Sequence, residues 1–422
     1  MQSIALLLIL MLFSLPLWAQ SPVSDLQRFA EIKQLLNEER WLEIVRLAEK
    51  EPERSAELNY YYGTALARLE RWDDAREAFL TGLKQQPGDK RFLVELAGVS
   101  FKQKNYADAA NYLRRALQLD PADVYARDFL ASIYFLQGNL DAAVKHWNRV
   151  AKPEIEEVRI YPTPKVNRIL LDHAFAFAPA TEMSLSDLYT TRARIESLRI
   201  FTDYRIDLEA RSDGKFDALF RARERNGWGS TKWEGLISLL RGLPFQTISP
   251  EYFNIGQRAI NFESLLRWDS QKRRIWANLA GPFSEDPKWR YRIELDLRNE
   301  NWDISRPSSD PASATAGFNL RKEALTAEIT SITSDRLDWS TGVEISHRDY
   351  RNVEVDPFLS PQLMQGYQLK HLGRLNYELL RAPERRLTIG AGASTQIGRI
   401  LSEDSEVFAK LQSSLEVHWL PQ

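Results

Sequence analysis

Residues 288–298 read Lys-Trp-Arg-Tyr-Arg-Ile-Glu-Leu-Asp-Leu-Arg. Trp289, Tyr291, Ile293, Leu295 and Leu297 occupy every second position, and a charge fills each position between them. Successive side chains of a strand point to opposite faces, so one face is oily and the other carries an unbroken charge ladder. Eleven residues at about 3.4 Å each, tilted about 45°, rise about 26 Å, which matches the apolar band of an outer-membrane strand. The rhythm recurs from residue 232 to the end of the chain. It predicts an antiparallel transmembrane β-barrel, or part of one, over 228–422.

Strands are expected near 232–245, 258–268, 271–283, 288–301, 314–323, 324–334, 336–350, 365–381, 384–398 and 405–419. Breakers separate several of them: Asp269-Ser270-Gln271-Lys272, Ser284-Glu285-Asp286-Pro287 and Arg381-Ala382-Pro383-Glu384. Longer polar loops at 305–313 and 352–365 suit an extracellular side. Trp233, Trp268, Trp289, Trp302, Trp339 and Trp419 lie toward strand ends, where aromatic girdles sit. A soluble β-sandwich with one wet face shows the same alternation; strand length, tryptophan placement and an export signal favour the membrane.

That signal is the apolar run Ile4–Leu15 followed by Pro16-Leu17-Trp18-Ala19, which reads as a secretory signal peptide over 1–19. The formal net charge of −2 gives no global basic field, so nucleic acid is not an expected partner. Mean hydropathy of −0.41 does not argue against a barrel, because alternating strands never raise the mean. The absence of cysteine excludes disulfides, thiolate metal sites and thiol nucleophiles.

Between residues 56 and 150 the chain repeats with a period of 34. Ala75, Ala109 and Ala143 fall on it, as do Trp72, Tyr106 and Leu140, Phe79, Leu113 and Trp147, and Pro87 with Pro121. Gly63, Ala97 and Ala131 supply the small residue that lets paired helices approach. This resembles the tetratricopeptide repeat. Residues 25–52 look like a divergent first repeat with a shortened second helix, giving a repeat domain over 25–152. The resemblance implies an α-solenoid whose groove binds extended peptide or a partner helix. Its groove positions are Tyr60, Thr64, Arg68, Val94, Phe101, Lys102, Asp128, Ser132 and Phe135.

Pro153, Pro162 and Pro164 punctuate an expected charged linker over 153–166. Residues 168–177 then read as a strand. Ser184–Phe201 reads as a helix, with Ser184 as N-cap and Asp187 three residues on. A hairpin turning at Ser212-Asp213-Gly214-Lys215 closes a small α/β module over 167–226. The module resembles a polypeptide-transport-associated (POTRA) domain of the BamA/TamA outer-membrane superfamily. Leu198-Arg199-Ile200-Phe201 stands where the family has Leu-Gly-aromatic-Phe, and Arg199 departs from its Gly. Leu240–Phe245, Tyr252-Phe253-Asn254, Ile260-Asn261-Phe262 and Arg267-Trp268-Asp269 also look like the superfamily's early barrel. The chain shows fewer strands than that barrel, no Val-Arg-Gly-aromatic loop motif, and an ending in Trp419-Leu420-Pro421-Gln422. A truncated member is therefore expected in preference to a smaller closed barrel.

The expected fold class is multidomain α + β: repeat solenoid, small module, barrel. Inside the barrel, Arg290, Arg292, Glu294, Asp296 and Arg298 are the expected lumen charges, with Asp335, Asp338 and Glu344 as partners for Arg290, Arg292 and Arg298. Gly390 and Gly392 read as small lumen-facing strand residues. His146, His173, His347, His371 and His418 show no metal-ligand spacing, although the last three could meet in a lumen. No nucleophile elbow, paired-carboxylate motif or phosphate-cradling loop is present, so neither enzyme activity nor a cofactor is expected. The expected function is assembly or translocation of polypeptides at the outer membrane, with residues about 20–226 in the periplasm. Expected partners are polypeptide clients or periplasmic proteins, bound by the repeats and the module's strand edge, and outer-membrane lipid. A polysaccharide-export porin with docking repeats, or a barrel-anchored adaptor, are the alternatives.

Overall fold

The computed structural model describes residues 22–229, 231–304, 316–332, 334–355, 365–401 and 406–420. The expected signal peptide and most of the two long loops lie outside them. The chain divides into two compact units, Met1–Gln137 and Gly138–Gln422.

In the first unit, helices α1 (Pro22–Asn37), α2 (Trp41–Glu49), α3 (Ala56–Arg68), α4 (Trp72–Gln85), α5 (Lys90–Lys102), α6 (Tyr106–Leu119) and α7 (Val124–Leu136) follow one another. The short α2 is the shortened second helix expected of the first repeat. Ser55, Asp89 and Asp123 cap α3, α5 and α7 by accepting backbone N–H bonds, a role favoured by their short polar side chains. Periodic small residues have a steric purpose. A Cβ on Gly63 would stand 2.6 Å from Phe79 Cε1, so the ring of α4 fills the space left on α3. Leu66, Phe79, Phe92 and Leu96 form the core of this stack.

The second unit begins with α8 (Leu140–Trp147) and a small sheet. Strand β1 (Glu154–Tyr161) pairs in parallel with β4 (Phe216–Glu224), which pairs antiparallel with β3 (Phe201–Ala210); β2 (Thr181–Glu182) covers only the first two residues of β1. Helices α9 (Arg168–Ala174) and α10 (Leu185–Leu198) complete the order β1-α9-β2-α10-β3-β4. Two expectations are corrected here. The segment read as a charged linker is β1, whose Glu154 and Glu156 both engage Lys215 at 2.9 Å. The segment read as a strand is α9, because Leu170, Leu171 and Ala174 share one buried helical face and Asn167 caps it. The Ser184 capping box forms as expected, with Asp187 returning to the cap backbone. Phe220 packs edge-on against Phe175 and Phe201 in this module's core.

The remaining strands form a ten-stranded sheet in the order β14-β13-β12-β11-β10-β9-β8-β7-β5, with β6 also on β7. They are β5 (Thr247–Ile248), β6 (Glu251–Ile255), β7 (Ile260–Trp268), β8 (Lys272–Phe283), β9 (Asp286–Ile304), β10 (Ala316–Ser331), β11 (Leu337–Val355), β12 (Gly366–Ala382), β13 (Leu387–Leu401) and β14 (Val407–Trp419). Every pairing is antiparallel, and from β6 to β14 each joins chain neighbours, while β5 pairs with β7. Among the described residues β14 pairs only with β13, so the sheet is not closed. Residues 232–245, expected as a strand, instead begin with helix α11 (Lys232–Arg241), and Trp233 lies on it. The two strands expected over 314–334 are the single β10, since Lys322-Glu323-Ala324 holds no breaker and continues the ladder to β9 and β11.

The sheet's two faces are inverted relative to a water-soluble core. On one face Ile293 is 46% exposed, Ile345 58% and Ile397 52%, while on the other Asp296 is 3% exposed, Glu328 7% and Lys370 5%. No helix among the described residues is long and apolar enough to cross a membrane, a statement that leaves strands aside.

Candidate partner-binding surfaces

In the first unit the predicted groove residues occupy corresponding positions of α3, α5 and α7. Tyr60, Thr64 and Arg68 lie on α3, Val94, Phe101 and Lys102 on α5, and Asp128, Ser132 and Phe135 on α7. Not all are free to meet a partner. Tyr60 packs edge-on against Phe92, donates to Glu95 Oε1 at 3.3 Å, and lies under the Arg91 guanidinium. Burial and the nearby Glu95 charge push its phenol up to about 12. Thr64 and Ser132 spend their hydroxyls on the backbone carbonyls of Tyr60 and Asp128. Phe101 meets Phe129 at 5.4 Å, and Arg68 stacks over Trp41. Lys102 is exposed. Two contributors escaped the sequence reading. Glu95 is drawn above the usual carboxylate range by burial, although its bond to Tyr60 opposes this. Arg91 joins consecutive repeats through Glu57 at 2.7 Å. The 34-residue step that aligns Glu57 with Arg91 was the available signal for that pair.

In the second unit the charged face of the sheet collects the predicted lumen residues. Asp296 accepts Arg274 at 2.9 Å and Arg298 at 2.6 Å; Arg292 bridges to Glu328 at 2.7 Å and to Glu294 at 3.2 Å. Arg290 is buried with Nη1 unsatisfied. The partners expected for these arginines are corrected: Asp335 pairs with Arg381 at 2.8 Å, Asp338 accepts from Asn376, and Glu344 holds Lys370 at 2.6 Å. Register places Asn376 opposite Asp338 and Lys370 opposite Glu344, while Asp335 lies in the turn before β11 and reaches Arg381 from there. The same register assembles a basic row across β7 to β11, Arg267-Arg274-Arg298-Lys322-Arg348, which no single stretch reveals. Gly392 lies on this face, where a Cβ would come within 2.6 Å of Ser414 Oγ.

The three histidines do not converge there. His347 and His371 share the apolar face with Ile345 and Val343, and His371 meets Thr341 Oγ1 at 2.9 Å. No group of acidic, histidine or cysteine residues among the described residues is arranged to hold a metal.

The small module is fastened to one rim of this sheet. Asn261 donates to the Leu198 carbonyl at 2.8 Å, Asn167 to Glu285 at 2.9 Å, and Arg199 pairs with Glu263 at 2.8 Å. From α8, Lys145 reaches Glu384 at 2.7 Å, and Arg381 lies 3.6 Å over the Tyr189 ring. Burial alone would raise the Glu384 carboxyl, but hydrogen bonds from His146 and Lys145 prevail and hold it at about 2. The module's outer edges are open. Among the described residues, strand β3 pairs only with β4, and β1 beyond Ile155 has β4 on one side alone.

Family models for the tetratricopeptide repeat match residues 43–90, 62–124 and 100–154. Residues 43–154 are tetratricopeptide repeats. Such repeats imply a protein-interaction scaffold that takes peptide or protein partners. A TPR repeat-containing protein of Pseudomonas aeruginosa is 36% identical over 72 residues, which is 17% of this chain and 12% of that protein. The chain thus spans only a small part of that relative. Among solved structures, YrrB, a TPR protein with an unusual peptide-binding site, is 15% identical with a TM-score of 0.27, covering 29% of this chain and 64% of its own. A MamA double mutant is 23% identical with a TM-score of 0.29, covering 32% and 76%. The second TPR of Spaghetti, bound to an HSP90 peptide, is 18% identical with a TM-score of 0.22, covering 23% and 90%.

Proposed function

We propose that this chain is an outer-membrane protein that captures polypeptides in the periplasm and delivers them to a membrane-embedded sheet for assembly or translocation. The observation that carries this reading is the inverted sheet, with its aliphatic side chains outside and its paired charges inside. In water, that arrangement leaves large apolar side chains solvated and buries ions at a cost; in lipid, both faces are satisfied. The tryptophan pair Trp289–Trp339, stacked edge-on at 5.7 Å, lies at the module-side border of the apolar band, as a girdle requires.

Apart from the two-residue β2, the order is β-α-α-β-β, and with the last strand central and parallel to the first it supports the POTRA-like reading of the module. So does Arg199, which sits at φ 56 and ψ 21. That left-handed conformation explains why the related domains carry Gly there and why an arginine is a departure. The open edges of β1 and β3 offer unpaired backbone groups to an extended client by strand addition. This favours assembly over polysaccharide export, which has no use for a peptide-binding edge.

The test is reconstitution into phospholipid vesicles with a urea-unfolded outer-membrane barrel protein as client. The rate at which the client gains heat-modifiable gel mobility is compared with that in empty vesicles. Acceleration that is lost when proline replaces Tyr204 and Ile206 on β3 supports the reading. No acceleration, or a chain that remains monodisperse without detergent or lipid, refutes it.

A further inference from the structure

On the apolar face, at the rim of the sheet remote from the module, lies a groove of about 820 Å³. Its floor is the apolar row Leu266-Ile275-Leu297 of β7 to β9, which ends on β10 at Glu323, and its upper edge is the next row, Trp268-Arg273-Asn299-Arg321. The floor runs directly into Ile293, Leu295 and Leu325, which are the apolar band itself. Arg273 is exposed, and among the described residues no carboxylate pairs with it. Arg321 holds Glu323 at 2.8 Å in a half-exposed bridge, which is a weak competitor. Asp349 opposes Arg321 across the ladder but is taken by Arg351 at 2.7 Å. One strand, β9, lies between Arg273 and Arg321, so their backbones stand two strand spacings, about 10 Å, apart.

We propose that this groove binds one anionic membrane lipid, with its phosphate between Arg273 and Arg321 and an acyl chain along Ile275 and Leu297. The proposal rests on the membrane reading above. Guanidinium groups present forked donors that match phosphate oxygens, and Arg273 is the one with that fork unspent. A lipid is the occupant that fits both halves of the site. Its tail needs uninterrupted apolar surface starting directly below its charged head, whereas a peptide or free phosphate makes no use of that continuity.

The full chain in dodecyl maltoside, offered equal amounts of dioleoyl phosphatidylglycerol and dioleoyl phosphatidylcholine, is examined by native mass spectrometry. The expected result is retention of phosphatidylglycerol about tenfold over phosphatidylcholine. The R273Q/R321Q double variant is expected to fall to parity, while E323Q, which frees Arg321, raises the preference. These side chains are exposed, and unchanged circular dichroism shows that each variant has folded. Parity in the unaltered chain, or a preference that survives R273Q/R321Q, overturns the proposal. Displacement by millimolar inorganic phosphate assigns the site to the free ion and also overturns it. A chain that needs no detergent defeats the membrane reading itself, a result separable from the absence of headgroup preference in a detergent-dependent chain.

Discussion

Replacing Ile293 by lysine discriminates most sharply between a sheet facing lipid and a sheet facing water. Ile293 is the middle of the five apolar residues that β9 places on its outer face, and its cross-strand neighbours are Leu279 and Ala327. No carboxylate shares that row to receive an ammonium. At the bilayer midplane a lysine costs about 2–4 kcal/mol. In water the side chain is already 46% exposed, so about half of the roughly 1.5–3 kcal/mol of its full burial is at stake, close to 1 kcal/mol. The lysine would then be solvated at no further cost. Urea unfolding in phospholipid vesicles, followed by heat-modifiable mobility, should therefore show Ile293→Lys destabilised by about 3 kcal/mol, on the order of a hundredfold in the equilibrium constant. A loss of less than about 1 kcal/mol in vesicles would refute the lipid-facing argument.

Three other consequences can be measured. Asp296→Ala leaves the half-buried Arg274 and Arg298 without their shared carboxylate and should cost about 1.5–3 kcal/mol in the same unfolding assay; an effect under about 0.5 kcal/mol would show that the row is solvated. Gly63→Ala drives a methyl group into Phe79, and the overpacking cost of about 1–3 kcal/mol should exceed the helix-propensity gain of about 1 kcal/mol, so the helical melt should move to lower temperature. A higher melting temperature would mean that Phe79 yields freely. The third concerns Glu384, whose carboxyl is lowered from 4.5 to about 2 by folding, so its contribution is present above the unfolded value and is lost as pH falls through about 2. At about 1.4 kcal/mol per unit the anchor of α8 should weaken by about 3 kcal/mol across that window, read as protease cleavage near Lys145. Glu384→Gln should abolish this acid dependence, and an unchanged acid profile in that variant would assign it elsewhere.

The repeat region was legible because its signal is local and recurrent. A helix pair that packs on its own copy must place small residues such as Gly63 and Ala97 at one step, and that step is visible without coordinates. Groove membership was less legible, since Tyr60 and Phe101 bear the right chemistry but spend much of it on neighbouring repeats. In the module, charge misled the reading. Glu154 and Glu156 resemble a solvated linker until Lys215, distant in sequence, is placed beside them. Residues 168–174 and 232–241 were misassigned for a related reason: short apolar runs fit a helix or a strand equally well, and packing decides.

The amino-acid sequence by itself determined which side chains share a strand face, because the two-residue alternation is a property of the extended backbone alone. It also determined where the helical repeats recur. Tertiary structure decided which face turns inward and which residues stand opposite or diagonal to one another, and hence that Asp296 meets Arg274 across the diagonal while Glu344 serves Lys370 directly opposite. Those outcomes depend on register between strands joined through turns and loops, and a shift of one residue would exchange the faces without altering the local pattern.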